Sequence, residues 1–339
     1  MKAAVLERRG ADGVSWRDFP DPQAGEDETI LGVVAGSLNR VDLYMRDNGA
    51  GITHALPHVM GVDAAGIVAE AAPASGLKVG QKGIVYASAF CGMCRFCLAG
   101  DQPLCERVKI MGEHRGGGFA EYVAMPSRCI FPLADDADLV AAGALATGHL
   151  TAWRMLFGKK ALRPGECVLI VGIGGGVAVA CLQLAKLIGA RAFVTSSSDE
   201  KIAPAMAMGA DGGVNYRKGP VSNAILDMSG GGVDMAIDSV GAASWGESLK
   251  SLRRGGRLVT CGATTGANPP ADLQRVFIRQ LEIYGSTGGS VGEFRQLLSV
   301  FNQGKVTPVI DSSYPASDIR AAFDRLESGA HFGKVSLVL

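Results

Sequence analysis

Cys91, Cys94, Cys97 and Cys105 follow one another as C-x2-C-x2-C-x7-C in a glycine-containing loop. Two-residue gaps let a tight turn aim successive thiolates at one ion, and four sulfurs complete the tetrahedron that Zn²⁺ takes. A coordination sphere filled by protein is closed to substrate. The spacing therefore predicts one structural Zn²⁺ per chain, held by a lobe of residues 91–105. Cys129, Cys167, Cys181 and Cys261 stand alone in apolar runs, where cysteine is a small buried hydrophobe.

A second chemistry is written around residue 172. Val168-Leu169-Ile170-Val171 runs into Gly172-Ile173-Gly174-Gly175-Gly176-Val177-Ala178 and then an Ala- and Leu-rich stretch. Strand, glycine turn and helix in that order bring backbone N–H groups against a pyrophosphate at a helix N-terminus. The spacing is G-x-x-G-x-x-A, and its context makes it a dinucleotide signal. An NAD site wants an acid at the end of the next strand to grip the ribose hydroxyls. Here that place holds Ser196, Ser197 and Ser198, which leave room for a 2′-phosphate. Lys201, Tyr216 and Arg217 lie on segments that can converge there, so NADPH is expected. NADH is the alternative if Asp199 takes the acid's place through a shifted register.

These sites need elements to position them. From residue 1 to about 130, short apolar runs alternate with Gly, Pro and Asp clusters, the rhythm of an irregular β domain. From about 160 to 285 the pattern predicts strands at 167–171, 191–195, 233–238 and 257–261, with helices at 177–188, 199–208 and 244–253. That alternation means βαβ units and a parallel sheet. A helix over 291–303, a segment at 306–311 and an apolar strand at 335–339 form a tail that returns to the first domain.

Composition narrows the partners. Lys plus Arg and Asp plus Glu number 33 each, so no net field recruits nucleic acid or an anionic membrane. The 47 glycines show no collagen-like period, and 47% hydrophobic content argues against disorder. The N-terminus meets a charge after four apolar residues, short of a signal core, which predicts a cytoplasmic protein. Residues 167–185 are uncharged and long enough to suggest a membrane span, but their glycines favour a strand, a turn and a helix.

Several separate stretches, in order, resemble the medium-chain dehydrogenase/reductase superfamily. They are Ser37-Leu38-Asn39-Arg40-Val41-Asp42-Leu43, Gly61-Val62-Asp63-Ala64-Ala65-Gly66, the cysteine lobe, Gly117-Gly118-Phe119-Ala120-Glu121-Tyr122, Thr151-Ala152-Trp153, the glycine turn and His331-Phe332-Gly333-Lys334. The resemblance implies an α/β fold: a GroES-like β domain from both termini (1–133 and 286–339) and a doubly wound Rossmann domain (134–285). It also places Arg40, Thr151 and Lys334 among the cofactor contacts and implies a homodimer or homotetramer.

Zinc-type alcohol dehydrogenases in this superfamily bind a catalytic metal through a Cys, a His and a later Cys. At the matching places this chain has Asn39, Val62 and Thr147. A valine cannot ligate zinc, and Asn or Thr replaces a thiolate poorly. Asn39 with Asp42 resembles instead the quinone oxidoreductase branch and its relatives that reduce enones or enoyl thioesters. Alcohol oxidation without a metal loses the device that makes alkoxide at neutral pH. Hydride addition to an α,β-unsaturated carbonyl or a quinone puts charge on a delocalised enolate that hydrogen bonds can hold. The expected activity is NADPH-dependent reduction of an enone, enoyl or quinone substrate. Asn39 and Asp42 would orient the carbonyl, with Tyr44 or water supplying the proton. A zinc-type alcohol or carbonyl dehydrogenase and a non-catalytic nucleotide-binding protein are the rival readings. The histidines take no chemical role in it: His58 and His149 read as packed imidazoles, His114 and His331 as motif residues, and His54 as a loop residue.

Overall fold

Strands and helices alternate through the middle of the chain and build a single parallel sheet of six strands. In the computed structural model, which describes residues 1–51 and 55–339, the strands lie in the order Gly212–Asn215, Arg191–Ser196, Cys167–Ile170, Val233–Asp238, Leu252–Thr260 and Glu282–Gly285. Counted within the unit that order is 3-2-1-4-5-6, doubly wound about the Cys167–Ile170 strand. All four residues of Cys167–Ile170 and all six of Val233–Asp238 are buried, as strands covered on both faces must be. Leu169, Phe193, Ile225 and Leu258 form the centre of this core.

The chain divides into two compact units, Met1–Leu150 with Ser290–Leu339, and Thr151–Gly289. The first unit thus extends to Leu150, past the boundary expected at 133. Its extra length is most of helix Leu139–Trp153, whose Gly143 lies so close to the strand Glu28–Leu38 that a Cβ there would sit 2.7 Å from the Ala35 carbonyl oxygen. A helix that lies on that strand belongs with it.

Within the first unit, Val14–Asp18, Lys2–Leu6 and His58–Val59 form a three-stranded sheet. A seven-stranded sheet centres on the long strand Glu28–Leu38. The last strand, Lys334–Val338, pairs antiparallel with it, Val335 opposite Leu38 and Ser336 opposite Ser37. The C-terminal segment therefore completes the sheet that carries Asn39. Leu38, Met45, Phe119, Phe323 and Leu337 fill the core beneath.

Several elements differ from the sequence reading. The segment at 306–311 leads into strand Ile310–Pro315, and the helix expected to reach 253 stops at Ser251, where Leu252 opens the next strand. The strand Gly212–Asn215 and helices Val221–Ser229 and Leu273–Arg279 were not expected. The uncharged stretch at 167–185 resolves into strand, glycine turn and the start of helix Gly176–Leu187, and no helix among the described residues is long and apolar enough to cross a membrane. The expectation for His54 lies outside the described residues.

Candidate active site and metal lobe

The register just described sets Lys334 beside Asn39, and a polar network forms there around Asp63. Asp63 is fully buried. Its Oδ2 accepts from Ser37 Oγ (2.7 Å), Asn39 Nδ2 (2.7 Å) and Lys334 Nζ (3.4 Å), and its Oδ1 accepts from the Thr147 N–H (2.9 Å). Lys334, only 3% exposed, also donates to the Leu38 carbonyl (3.1 Å) and to Asn39 Oδ1 (2.6 Å). An ammonium has three N–H donors, and all three are engaged inside this network. The expected cofactor contact from Lys334 thus becomes a hold on Asn39 and Asp63.

Asn39 is fixed as firmly. Its amide nitrogen donates to Asp63 and to the Ser37 carbonyl (3.1 Å), and its oxygen accepts from Lys334. Both amide protons are used, so Asn39 has no donor left to offer a substrate carbonyl. The structure corrects the expected carbonyl-orienting role on that physical ground: Asn39 presents an acceptor at most.

Asp42 sits in the first turn of helix Arg40–Asp47 and its Oδ2 accepts the Asn39 N–H at 2.7 Å, a helix cap. It is fully buried, and its Oδ1 has no hydrogen-bond partner. Burial pushes its carboxyl up to about 8, against the hydrogen bond from Asn39 and with a further push from Asp63. Burial therefore favours the neutral form of this capping carboxyl. Tyr44 does not stand beside it: two helical positions are about 200° apart, so Tyr44 turns to the other side of the helix. It shares that side with Arg40, four residues earlier. Arg40 is exposed, and neither its guanidinium nor the Tyr44 hydroxyl has a partner among the described residues.

The positions matching the relatives' catalytic metal ligands do come together, since Thr147 Oγ1 donates to the Val62 carbonyl (3.4 Å) and its N–H to Asp63. Their chemistry does not suit a metal. Val62 is aliphatic and buried, and Asn39 is saturated. His58 Nε2 lies 3.1 Å from the Gly112 carbonyl, and His114 Nδ1 accepts from the Ile110 N–H; His149 and His331 are buried.

Among the described residues, one group of three or more His, Cys, Asp or Glu gathers its ligand atoms within 4.8 Å of one another: Cys91, Cys94, Cys97 and Cys105. Cys91 Sγ lies 3.9 Å from Cys97 Sγ, close to the ~3.8 Å edge of a tetrahedron with Zn–S bonds of about 2.3 Å. Backbone N–H groups of Cys94, Cys91 and Arg107 point at the sulfurs at 3.4 Å. Such bonds, that from Met93 foremost, draw the Cys91 thiol down to about 6. Burial drives Cys97 the other way, to about 12. The donor set fits a closed tetrahedral ion.

In the second unit the glycine turn joins strand Cys167–Ile170 to helix Gly176–Leu187. Gly172 (φ 75°) and Gly174 (φ 115°) hold conformations that side chains resist. The turn is pinned to the neighbouring strand, Gly172 N–H to Thr195 Oγ1 (3.2 Å) and Ile173 N–H to the Thr195 carbonyl (2.7 Å). The helix cap is Gly175, with no side chain to cap it. The N–H groups of Gly176 and Val177 are left for an anion, which fits a pyrophosphate.

The end of the next strand carries hydroxyls only. Ser196 is buried and its Oγ accepts the Ser198 N–H (3.3 Å), Ser197 is half-buried, and Ser198 caps the following helix through the Glu200 N–H (3.2 Å). The Tyr216 N–H bonds the Ser196 carbonyl at 3.0 Å, bringing Tyr216 and Arg217 alongside. Arg217 is exposed, its guanidinium without a partner among the described residues. Lys201 is half-buried at the first turn of helix Asp199–Ala207. Asp199 is exposed, with Lys218 Nζ on one oxygen (2.5 Å) and Asn215 Nδ2 on the other (3.0 Å). Thr151 is buried at the start of this unit.

Two family models match the chain, an alcohol dehydrogenase GroES-like domain over residues 25–135 and a zinc-binding dehydrogenase domain over 176–303. An alcohol dehydrogenase of Geobacillus stearothermophilus is 31% identical over 100% of this chain and 99% of its own. The chain belongs to the medium-chain dehydrogenase/reductase superfamily. Within it this is a zinc-binding alcohol dehydrogenase-like oxidoreductase, a GroES-like β domain joined to a Rossmann domain. The solved structure of an NAD-dependent alcohol dehydrogenase superposes with a TM-score of 0.96 at 36% identity, covering 100% of both chains. A crotonyl-CoA carboxylase/reductase in complex with NADP shares the fold, with a TM-score of 0.92 at 23% identity over 100% of this chain and 95% of that one.

Sequence reasoning missed Asp63 as the hub, although a lone acid in the apolar run 59–65 signals a buried charge that must be paired. It also missed Ser37, Asn215 and Lys218.

Proposed function

We propose that this oxidoreductase uses NADPH to reduce an activated double bond or a quinone, with one structural Zn²⁺ in the cysteine lobe and none at the reacting centre. The carrying observation is the saturated Asn39, bound between Lys334, Asp63 and Ser37 beside aliphatic Val62. Those residues supply no ligand set for an ion that would make an alkoxide.

When bound, the nicotinamide supplies the hydride. Gly172 to Val177 would hold the pyrophosphate, and Arg40, exposed on its own unit, would offer the cofactor a guanidinium fork. Ser196, Ser197, Ser198 and Arg217 would hold the 2′-phosphate, with Lys201 and Tyr216 assisting. Asp199 is kept from repelling it by Lys218 and Asn215. The substrate's β-carbon gains the hydride and its α-carbon gains a proton from Tyr44 or water, so the double bond becomes a single bond.

A zinc-type alcohol or aldehyde dehydrogenase is the second reading, favoured by full-length likeness to alcohol dehydrogenases. Elemental analysis of protein purified without added metal, paired with NADPH oxidation against enones, quinones and aldehydes, separates the two. One zinc with enone or quinone turnover supports the reductase. Two zincs with activity confined to alcohols and aldehydes overturns it.

Self-association belongs to the same reading. Leu273, Phe277 and Ile278 are exposed on one helix, and Ile283 lies on the edge strand Glu282–Gly285. Pairing two copies along that edge would cover both, and light scattering of Phe277→Asp, expected as monomer, tests it.

A further inference from the structure

The seven residues between Cys97 and Cys105 do more than close a loop. They form consecutive hydrogen-bonded turns: Gly100 N–H to the Cys97 carbonyl (3.1 Å), Leu104 N–H to Asp101 (3.0 Å) and Cys105 N–H to Gln102 (2.9 Å). Gln102 sits in the middle of them, and its backbone carbonyl holds the fourth cysteine. Its side chain leaves the lobe. It is 9% exposed, and its Oε1 accepts the N–H of Val291 at 3.1 Å.

Val291 is the first residue of helix Val291–Asn302, and Ser290 before it is where the chain re-enters the first unit after Gly289. That helix start carries a capping box. Ser290 N–H donates to Glu293 Oε2 (2.6 Å), Glu293 N–H returns to Ser290 Oγ (3.2 Å), and Gln102 takes the Val291 N–H. One turn on, Phe294 packs against Tyr86 and Phe131, with ring centroids at 5.7 and 5.1 Å. The bond from Gln102 ties this start to the metal-ligand turn.

We infer that Gln102 makes the metal lobe a clamp on the crossover. The ion fixes the turn between Cys97 and Cys105, the turn fixes Gln102, and Gln102 fixes the first turn of the helix on which the chain returns. The inference rests on a zinc in the lobe, so zinc content must be measured on the same samples.

The test is residue-resolved amide hydrogen exchange at Ser290, Glu293 and Phe294, whose N–H groups donate to Glu293 and Ser290 rather than to Gln102. In Gln102→Ala these amides should exchange about tenfold faster, the worth of one buried hydrogen bond, while the protein keeps one zinc per chain. Chelation of the native protein should speed the same amides while residues 167–187 stay protected. Gln102→Glu, which keeps an accepting oxygen, should restore protection. Native-like exchange in Gln102→Ala overturns the clamp, as does chelation that loosens 91–105 while Ser290–Phe294 stays slow. A chain that carries no zinc overturns the metal's part alone, leaving the Gln102 result to be read by itself.

Discussion

Lys334 Nζ donates to Asn39 Oδ1 at 2.6 Å across 295 positions of sequence, and the same ammonium lies 3.4 Å from the buried carboxylate of Asp63. Removing the cation leaves a buried charge without its counter-ion. Lys334→Met should lower unfolding stability by about 3–5 kcal/mol, read as a shift in denaturant midpoint. Pairing it with Asp63→Asn should recover part of that loss, because the double variant buries no charge. If Lys334→Met alone is as stable as the native chain, the ion pair has no structural weight.

How much of this was legible in sequence follows from distance along the chain. The cysteine lobe and the glycine turn are local: each is spelled by neighbouring residues whose spacing already fixes the geometry. The Lys334–Asn39 bond depends on which residue of the last strand faces which residue of Glu28–Leu38. A slip of one position would turn every side chain to the other face, and no local pattern specifies that register. Which side of its helix Tyr44 takes follows from helix geometry, since nearness in sequence to Asp42 is not nearness in space. The strand Gly212–Asn215 was missed because its two glycines carry no apolar signal, although Ile202 and Met228 pack where their side chains would be.

The hydroxyl cluster after the second Rossmann strand gives a cofactor prediction. Ser196→Asp restores the acid that grips ribose hydroxyls and repels a 2′-phosphate. The ratio of kcat/KM for NADPH over NADH should fall at least about tenfold, some 1.4 kcal/mol of differential binding. A ratio that does not move would place the adenosine ribose elsewhere.

Asp42 gives a pH prediction. Its folded pKa, about 8, lies above the ordinary 3.8 because burial disfavours the anion. A raised carboxyl contributes stability that is complete below the unfolded value and is lost as pH rises through the folded one. Asp42→Asn keeps an oxygen for the Asn39 N–H and cannot ionise. Unfolding curves from about pH 5 to about pH 9 should therefore fall less steeply with pH for the variant than for the native chain. Parallel curves would show that the buried carboxyl is already ionised.

The lobe predicts a metal-dependent stability separable from chemistry. Cys97→Ser replaces a buried thiolate with a weak ligand, so zinc should drop from one per chain to near none and the thermal midpoint should fall. Structural zinc binding is worth on the order of 10 kcal/mol, enough to unfold the lobe. The native protein treated with a chelator should reach the same midpoint; a variant that keeps its zinc and its midpoint would mean three cysteines suffice.

Tyr44 carries the last prediction. Its hydroxyl has no partner among the described residues, and it stands on the exposed side of helix Arg40–Asp47 with Arg40, away from buried Asp42. A positioned acid contributes about a hundredfold or more to a rate when proton transfer accompanies the slow step. Tyr44→Phe deletes only the hydroxyl and keeps the ring's packing, so kcat for an enone should fall about a hundredfold with KM for NADPH little changed. The solvent isotope effect on kcat should change with it, which a purely structural role would not produce. If kcat is untouched, water delivers the proton. The Tyr44–Arg40 face would then be left to bind cofactor alone, and Arg40→Ala should raise the NADPH KM whichever way the proton travels.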